Sequence, residues 1–199
     1  MEAARQAGVE HFVFVSFREN PHIQYPLTAA KREVERAVQA SGMAYTILQA
    51  SYFMEIWLTP ILGFDYANGK VRFCGDGTNP ISWISYLDVA RAAATALREP
   101  AARNMVVELG GPQALSPCEV VRMFEAAGAG EIVTESVAES ALESQMNAAS
   151  DPLHESFGGL MLQCARGDAI DTTTSRRVFP FQMTSVRDYI TAQLARAKA

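Results

Sequence analysis

Ser16 and Phe17 close one apolar run, and Gln49, Ala50 and Ser51 close another; Lys31 lies on the segment between them. In open α/β sheets, ligands bind just beyond the carboxyl ends of the strands, so these residues are expected at the mouth of one binding site. The chemistry they suggest is capture of an organic ligand rather than of a metal. His11, His22 and His154 share no ligand spacing, and Cys74, Cys118 and Cys164 are scattered singly. No metal site and no disulfide framework is expected from such a pattern.

The elements that position these residues form one strand–helix–strand unit. Phe12-Val13-Phe14-Val15 is continuously apolar, as suits a strand covered on both faces. After a loop with Pro21 and Pro26, Leu27, Ala30, Val34, Ala37 and Val38 recur at helical spacing, and Gly42 stops the helix. Tyr45-Thr46-Ile47-Leu48 is the next buried strand. Met1 to Ala7 reads as the last turns of a helix closed by Gly8.

Beyond the site mouth, SYFMEIWL is expected as a short helix or loop packed over it. Asn68-Gly69 predicts a hairpin turn before a strand from Lys70 to Phe73. Gly75-Asp76-Gly77 reads as a tight turn rather than a phosphate cradle, since no helix follows it. Ile81 to Ile84 is expected as a brief strand. Ser85 and Asp88 then open a helix in the manner of a capping box, with Val89, Ala92, Ala93, Ala96 and Leu97 on one face. Met105 to Leu109 is the third parallel strand. Ser116-Pro117-Cys118-Glu119 is a full capping box, for a helix running to about Ala127. A short strand near Ile132-Val133 precedes three helices, opened by Ser136 with Glu139, by Asp151-Pro152, and by Ser185 with Asp188. The middle one carries an apolar stripe of Leu153, Phe157, Leu160, Met161 and Cys164. Gly158 and Gly159 interrupt it, from close helix packing or from a kink facing a ligand.

The 199 residues suffice for a sizeable core, with 49% apolar and 20% charged residues. A net charge of -5 argues against nucleic acid or an anionic membrane as partners. No stretch is apolar for the ~18 residues a membrane span needs. Unpaired cysteines suit a reducing cytoplasm.

Six stretches, taken in order, carry a resemblance: GVEHFVFVS, PLTAAKREVERAVQASGMAYTIL, SYFME, ISYLDVARAAATAL, ELGGPQALSPCEVV and DPLHESFGGLML. Together the chain resembles the NmrA-like branch of the atypical short-chain dehydrogenase/reductases, which are NAD(P)-binding Rossmann folds. The resemblance implies an α/β fold: a partial Rossmann-like parallel sheet over residues 1–128, and a smaller, mainly helical C-terminal substrate lobe over 129–199. The family's glycine-rich phosphate loop belongs upstream of these stretches. The chain is therefore expected to begin downstream of it and to bind NAD(P) weakly by itself. The strand at 11–15 would then expose an edge open to self-association.

The resemblance also implies roles. Short-chain dehydrogenases pair a strand-end Ser with a Tyr and a Lys four positions apart on a helix. Here Ser16 matches the Ser and Lys31 the Lys, but Leu27 stands where the Tyr belongs, and Tyr25 lies six positions before Lys31. The proton-transfer group is missing by position, so no catalytic residue is assigned. Ser16, Phe17, Lys31, Gln49, Ala50, Ser51 and Phe53 are the implied cofactor-binding residues. Tyr52, Met54, Trp83 and Tyr86 are the implied substrate pocket. Each has an alternative: Lys31 as a solvated helix residue, Ser16 as a turn cap, Phe53, Met54, Trp83 and Tyr86 as core. The implied function is an NAD(P)H-dependent oxidoreductase acting on a quinone or other small acceptor. The alternatives are a non-catalytic NAD(P)-responsive regulator read by a protein partner, or an inactive fragment.

Overall fold

A computed structural model describes residues 1–197. Helix α1 (Glu2–Gln6) leads through Gly8 into strand β1 (His11–Phe17); helix α2 (Pro26–Gln39) and strand β2 (Ala44–Ala50) follow. Then come α3 (Met54–Trp57), β3 (Phe64–Asp65), β4 (Lys70–Cys74), α4 (Tyr86–Ala96) and β5 (Met105–Leu109). The chain continues with α5 (Pro117–Phe124), β6 (Val133–Val137), α6 (Glu139–Asn147), α7 (Pro152–Arg166), α8 (Thr173–Val178) and α9 (Val186–Ala197).

The main sheet is parallel in the order β1-β2-β5, with Val15 beside Leu48 and Leu48 beside Val107. One face buries Leu48, Val107 and Leu109 against Val89, Ala92 and Ala96 of α4 and against Val178 of α8 and Phe179 just after it. The opposite face is covered by α2, whose inward side buries Val38 and Glu35. A second sheet, β3-β4-β6, joins an antiparallel hairpin turned at Asn68-Gly69 to a parallel strand. It draws two strands from before residue 128 and one from after it. Its core includes Phe64, Val71 and Phe73, packed with Phe124 of α5 and Ile190 of α9.

Several local expectations are corrected. Residues 81–84 form isolated bridges, Ile81 with Leu115 and Ile84 with Phe53, because this short connection meets no strand-length neighbour. Ser85 caps α4 by accepting from Leu87 N, but Asp88 turns away and accepts from Thr184 N at 2.6 Å. Glu55 of α3 completes that helix start instead, accepting from Ser85 Oγ and Tyr86 N. Leu97 is exposed rather than on the buried face. Ser136 is paired within β6, and α6 starts at Glu139 without a side-chain cap. Helix α8 is an element the sequence did not suggest. The capping boxes at Ser116/Glu119 and Ser185/Asp188 form as expected, and Asp151 caps α7.

Gly158 and Gly159 are close-packing residues. A Cβ at Gly158 would stand 2.8 Å from the Met146 Cα of α6, and one at Gly159 would stand 2.3 Å from the Tyr25 ring. The apolar stripe of α7 is only partly core: Cys164 is buried, Leu160 and Met161 are half-buried, and Leu153 and Phe157 are exposed.

Candidate functional site

The carboxyl ends of β1 and β2 open into a cleft of about 370 Å³. Val15, Ser16, Phe17 and Arg18 line it from β1 and its exit, and Ala50, Ser51, Tyr52 and Phe53 from β2 and its exit. Leu27 and Lys31 of α2, Ile56 and Trp57 of α3, and Phe157, Leu160 and Met161 of α7 supply the remaining walls, with Gln163 and Asp168 at a polar corner. The walls are mostly apolar, with few converging polar groups, as small-molecule sites are.

Of the implied residues, Ser16, Phe17, Lys31, Ala50, Ser51, Tyr52 and Phe53 come together here; Gln49, Met54, Trp83 and Tyr86 do not. Strand β2 runs on to Ala50, so Gln49 is still inside the ladder and its alternation sends it toward α2. Its amide donates to both carboxylate oxygens of Glu35. Met54 is fully buried, Trp83 is buried with its indole N–H on Leu115 O, and Tyr86 is exposed at the start of α4.

Lys31 is half-buried. Its Nζ donates to Val15 O at 3.1 Å and lies 4.9 Å from the centre of the Phe14 ring. Burial lowers its pKa, opposed by the Glu35 charge. An ammonium has three donors, so one bond to protein leaves two for a ligand. Ser16 is buried, and its Oγ accepts from Arg32, which also donates to Phe17 O at 2.6 Å. Ser51 Oγ is buried beside Asp168 with no aligned hydrogen-bond partner among the described residues. Such an orphaned hydroxyl costs free energy until something satisfies it.

Both tyrosines near the cleft are spent. Tyr25 is buried with its ring stacked on Phe17, and its hydroxyl donates to Gln163 Oε1 at 2.9 Å. Tyr52 is buried against Trp57. Burial pushes both phenols further above their ordinary range, so neither exchanges a proton near neutrality. Leu27 occupies the cleft wall beside Lys31. Tyr25→Phe is therefore expected to lower stability by about 1–2 kcal/mol, because Gln163 Oε1 loses its donor. Urea unfolding reads that loss, and the variant's turnover should be unchanged.

The polar corner was missed in the sequence. Arg18 donates through Nε to Glu108 and through Nη1 to the buried Asp168, both at 3.0 Å, while Gln163 Nε2 holds the Arg18 carbonyl. Arg18 directly follows Phe17 at the exit of β1, so the strand-end rule reaches it with one more residue. Asp168 lies 150 positions from Arg18, with no local motif to mark it. Desolvation raises the Asp168 pKa despite the hydrogen bond and charge of Arg18. A raised folded-state pKa means the ionised carboxylate costs the fold, and stability is lost as pH rises through that pKa. Asp168→Asn is thus expected to be at least as stable as the parent at pH 7. That advantage should shrink to nothing on acidification to about pH 4, near the unfolded carboxylate's pKa. Thermal melts of the two proteins across that range check the sign.

The model of the NmrA-like family matches residues 1–189. This chain belongs to the NmrA-like family. Over 131 residues it is 35% identical to the NAD(P)H azoreductase of Xenophilus azovorans, covering 63% of this chain and 43% of that enzyme. The chain thus spans roughly two-fifths of the length of the curated relatives it matches. Among solved structures, the NADPH-dependent quinone oxidoreductase of Escherichia coli superimposes with a TM-score of 0.78 at 19% identity, over 97% of this chain and 70% of that one. The triphenylmethane reductase of Citrobacter sp., complexed with NADP(H), gives 0.75 at 18%, over 96% and 67%. These likenesses establish a Rossmann-like α/β fold for this NmrA-like chain. No helix of the described residues is long and apolar enough to cross a membrane.

Proposed function

We propose that the cleft receives the nicotinamide–ribose end of NAD(P)H, and that the chain serves an NAD(P)H-dependent reduction of flat apolar acceptors of the quinone or azo class. The donors present fit that end of the cofactor. The two unspent N–H groups of Lys31 suit a ribose diol, and the orphaned Ser51 hydroxyl suits a carboxamide. When bound, the cofactor supplies a hydride. The protein's own contribution is to bind, orient and exclude water: Phe17, Phe53, Trp57 and Phe157 give aromatic walls, and Lys31 anchors one end.

One observation carries the choice of acceptor. Leu27 lies beside Lys31, and the two nearby phenols are buried with raised pKa values, so the cleft has no tyrosine to protonate an alkoxide. An acceptor whose reduced form holds its charge on a conjugated oxygen or nitrogen needs no such acid. Family membership and the names of the azoreductase and quinone oxidoreductase relatives support the same reading. Three free thiols suit a reducing cytoplasm. The test is consumption of NADPH and NADH over a panel of quinones, azo dyes and simple ketones. Quinones or azo dyes should be reduced and ketones not; ketone reduction abolished by Tyr25→Phe would overturn the reading.

A further inference from the structure

Behind the α7 wall of the cleft, three sulfur atoms meet. Cys74 is the last residue of β4 and half-buried; its thiol lies 3.4 Å from Met161 Sδ and against the buried Cys164 thiol. The end of β4 and α7 are in close contact beside these sulfurs, where a Cβ added to Gly75 would stand 3.0 Å from the Ala165 Cβ. Met161 and Cys164 are three positions apart on one face of α7, so the Cys74 thiol at the end of β4 meets that face at both sulfurs. The Cys118 thiol donates instead to the Asp76 carbonyl, at 3.6 Å.

We propose that Cys74 and Cys164 are a dithiol modification site that a peroxide closes to a disulfide, independently of the reduction chemistry assigned to the cleft. The two thiols are unequal in the way such a site requires. The hydrogen bond from Cys164 and the nearby Arg72 charge lower the pKa of the more accessible Cys74, while that same bond and burial raise Cys164. Cys74 is the attacking thiolate and Cys164 the resolving thiol. The Cys74 sulfur attacks one peroxide oxygen, the O–O bond breaks, and a sulfenic acid and water result. The Cys164 sulfur then displaces the sulfenic oxygen as a second water, its own proton leaving with that oxygen. Two thiols lose two electrons, and hydrogen peroxide is reduced to two waters. The new bond ties α7, which carries Leu160 and Met161 into the cleft, to the end of the second sheet.

The test uses the full chain, reduced and desalted, then treated with small excesses of hydrogen peroxide at neutral pH without cofactor or acceptor. Of the three thiols, titration with a chromogenic disulfide should leave one, and the intact mass should fall by two hydrogens. Peptide mapping should join the segments holding Cys74 and Cys164, and Cys118→Ser should give the same link with no thiol left. In Cys164→Ser, Cys74 should stop at a sulfenic acid trapped by dimedone, at a rate about tenfold above that of Cys118. A link through Cys118, loss of one thiol only, or Cys74 over-oxidised while Cys164 stays reduced in the parent chain would each overturn the proposal. None of these outcomes bears on the cofactor reading, which stands or falls on turnover.

Discussion

Gly159→Ala should be strongly damaging, lowering stability by about 3 kcal/mol, at the upper end of overpacking costs. The added carbon would lie 2.3 Å from Tyr25 Cδ1, 2.4 Å from Cγ and 2.9 Å from Cβ. Contact that near the backbone cannot be relieved by swinging the ring tip. The ring is also fixed at its far end, through the hydroxyl bond to Gln163 one turn along the same helix. Alanine's better helix propensity, worth about 1 kcal/mol, offsets only part of this. In a chain of this size the net loss corresponds to a fall in Tm of roughly 6–12 °C. The cleft should loosen with it, because Tyr25 opens α2, which carries Leu27 and Lys31. An unchanged melt would show that α7 does not seat on Tyr25 as described.

Lys31→Ala should produce the opposite pattern: a large loss of affinity with little loss of stability. Charge-assisted hydrogen bonds contribute about 1.5–3 kcal/mol, so affinity for NAD(P)H should fall roughly 10- to 100-fold. The fold loses one bond to Val15 O and the contact with Phe14, within about 1 kcal/mol for a half-exposed cation. Lys31→Arg should restore the charge without restoring affinity, because a planar guanidinium does not fill an ammonium's place. Titration calorimetry beside a thermal melt separates the two effects. Loss of folding with affinity intact would assign Lys31 to structure.

The β1–α2–β2 unit was legible because local signals agree there: continuous apolar strands, a helical stripe and a left-handed glycine at Gly42. Ser16, Phe17, Ala50 and Ser51 followed from strand ends; Lys31 is the helix residue between those strands, and Tyr52 and Phe53 came with the family resemblance. Gln49 misled because the apolar run ends at Leu48 while the hydrogen-bonded ladder continues to Ala50, and one more residue of strand reverses the face. Met54 and Trp83 misled for another reason. Apolar side chains that line a pocket and those that fill a core have the same composition, and only the tertiary fold separates them. The stripe on α7 shows the converse, since residues that read as core end partly on the cleft wall. The corner built by Arg18, Gln163 and Asp168 joins segments about 150 residues apart, and no periodicity spans that distance.

The central claim is that reduction in this cleft proceeds without a tyrosine acid. Its most direct test is the rate of quinone reduction by NAD(P)H under single-turnover conditions, followed from about pH 6 to 8.5, where a tuned acid–base pair would titrate. The parent chain, Tyr25→Phe and Tyr52→Phe should give the same nearly level profile. A limb in the parent profile that disappears in either phenylalanine variant would contradict the account and make that phenol the proton donor.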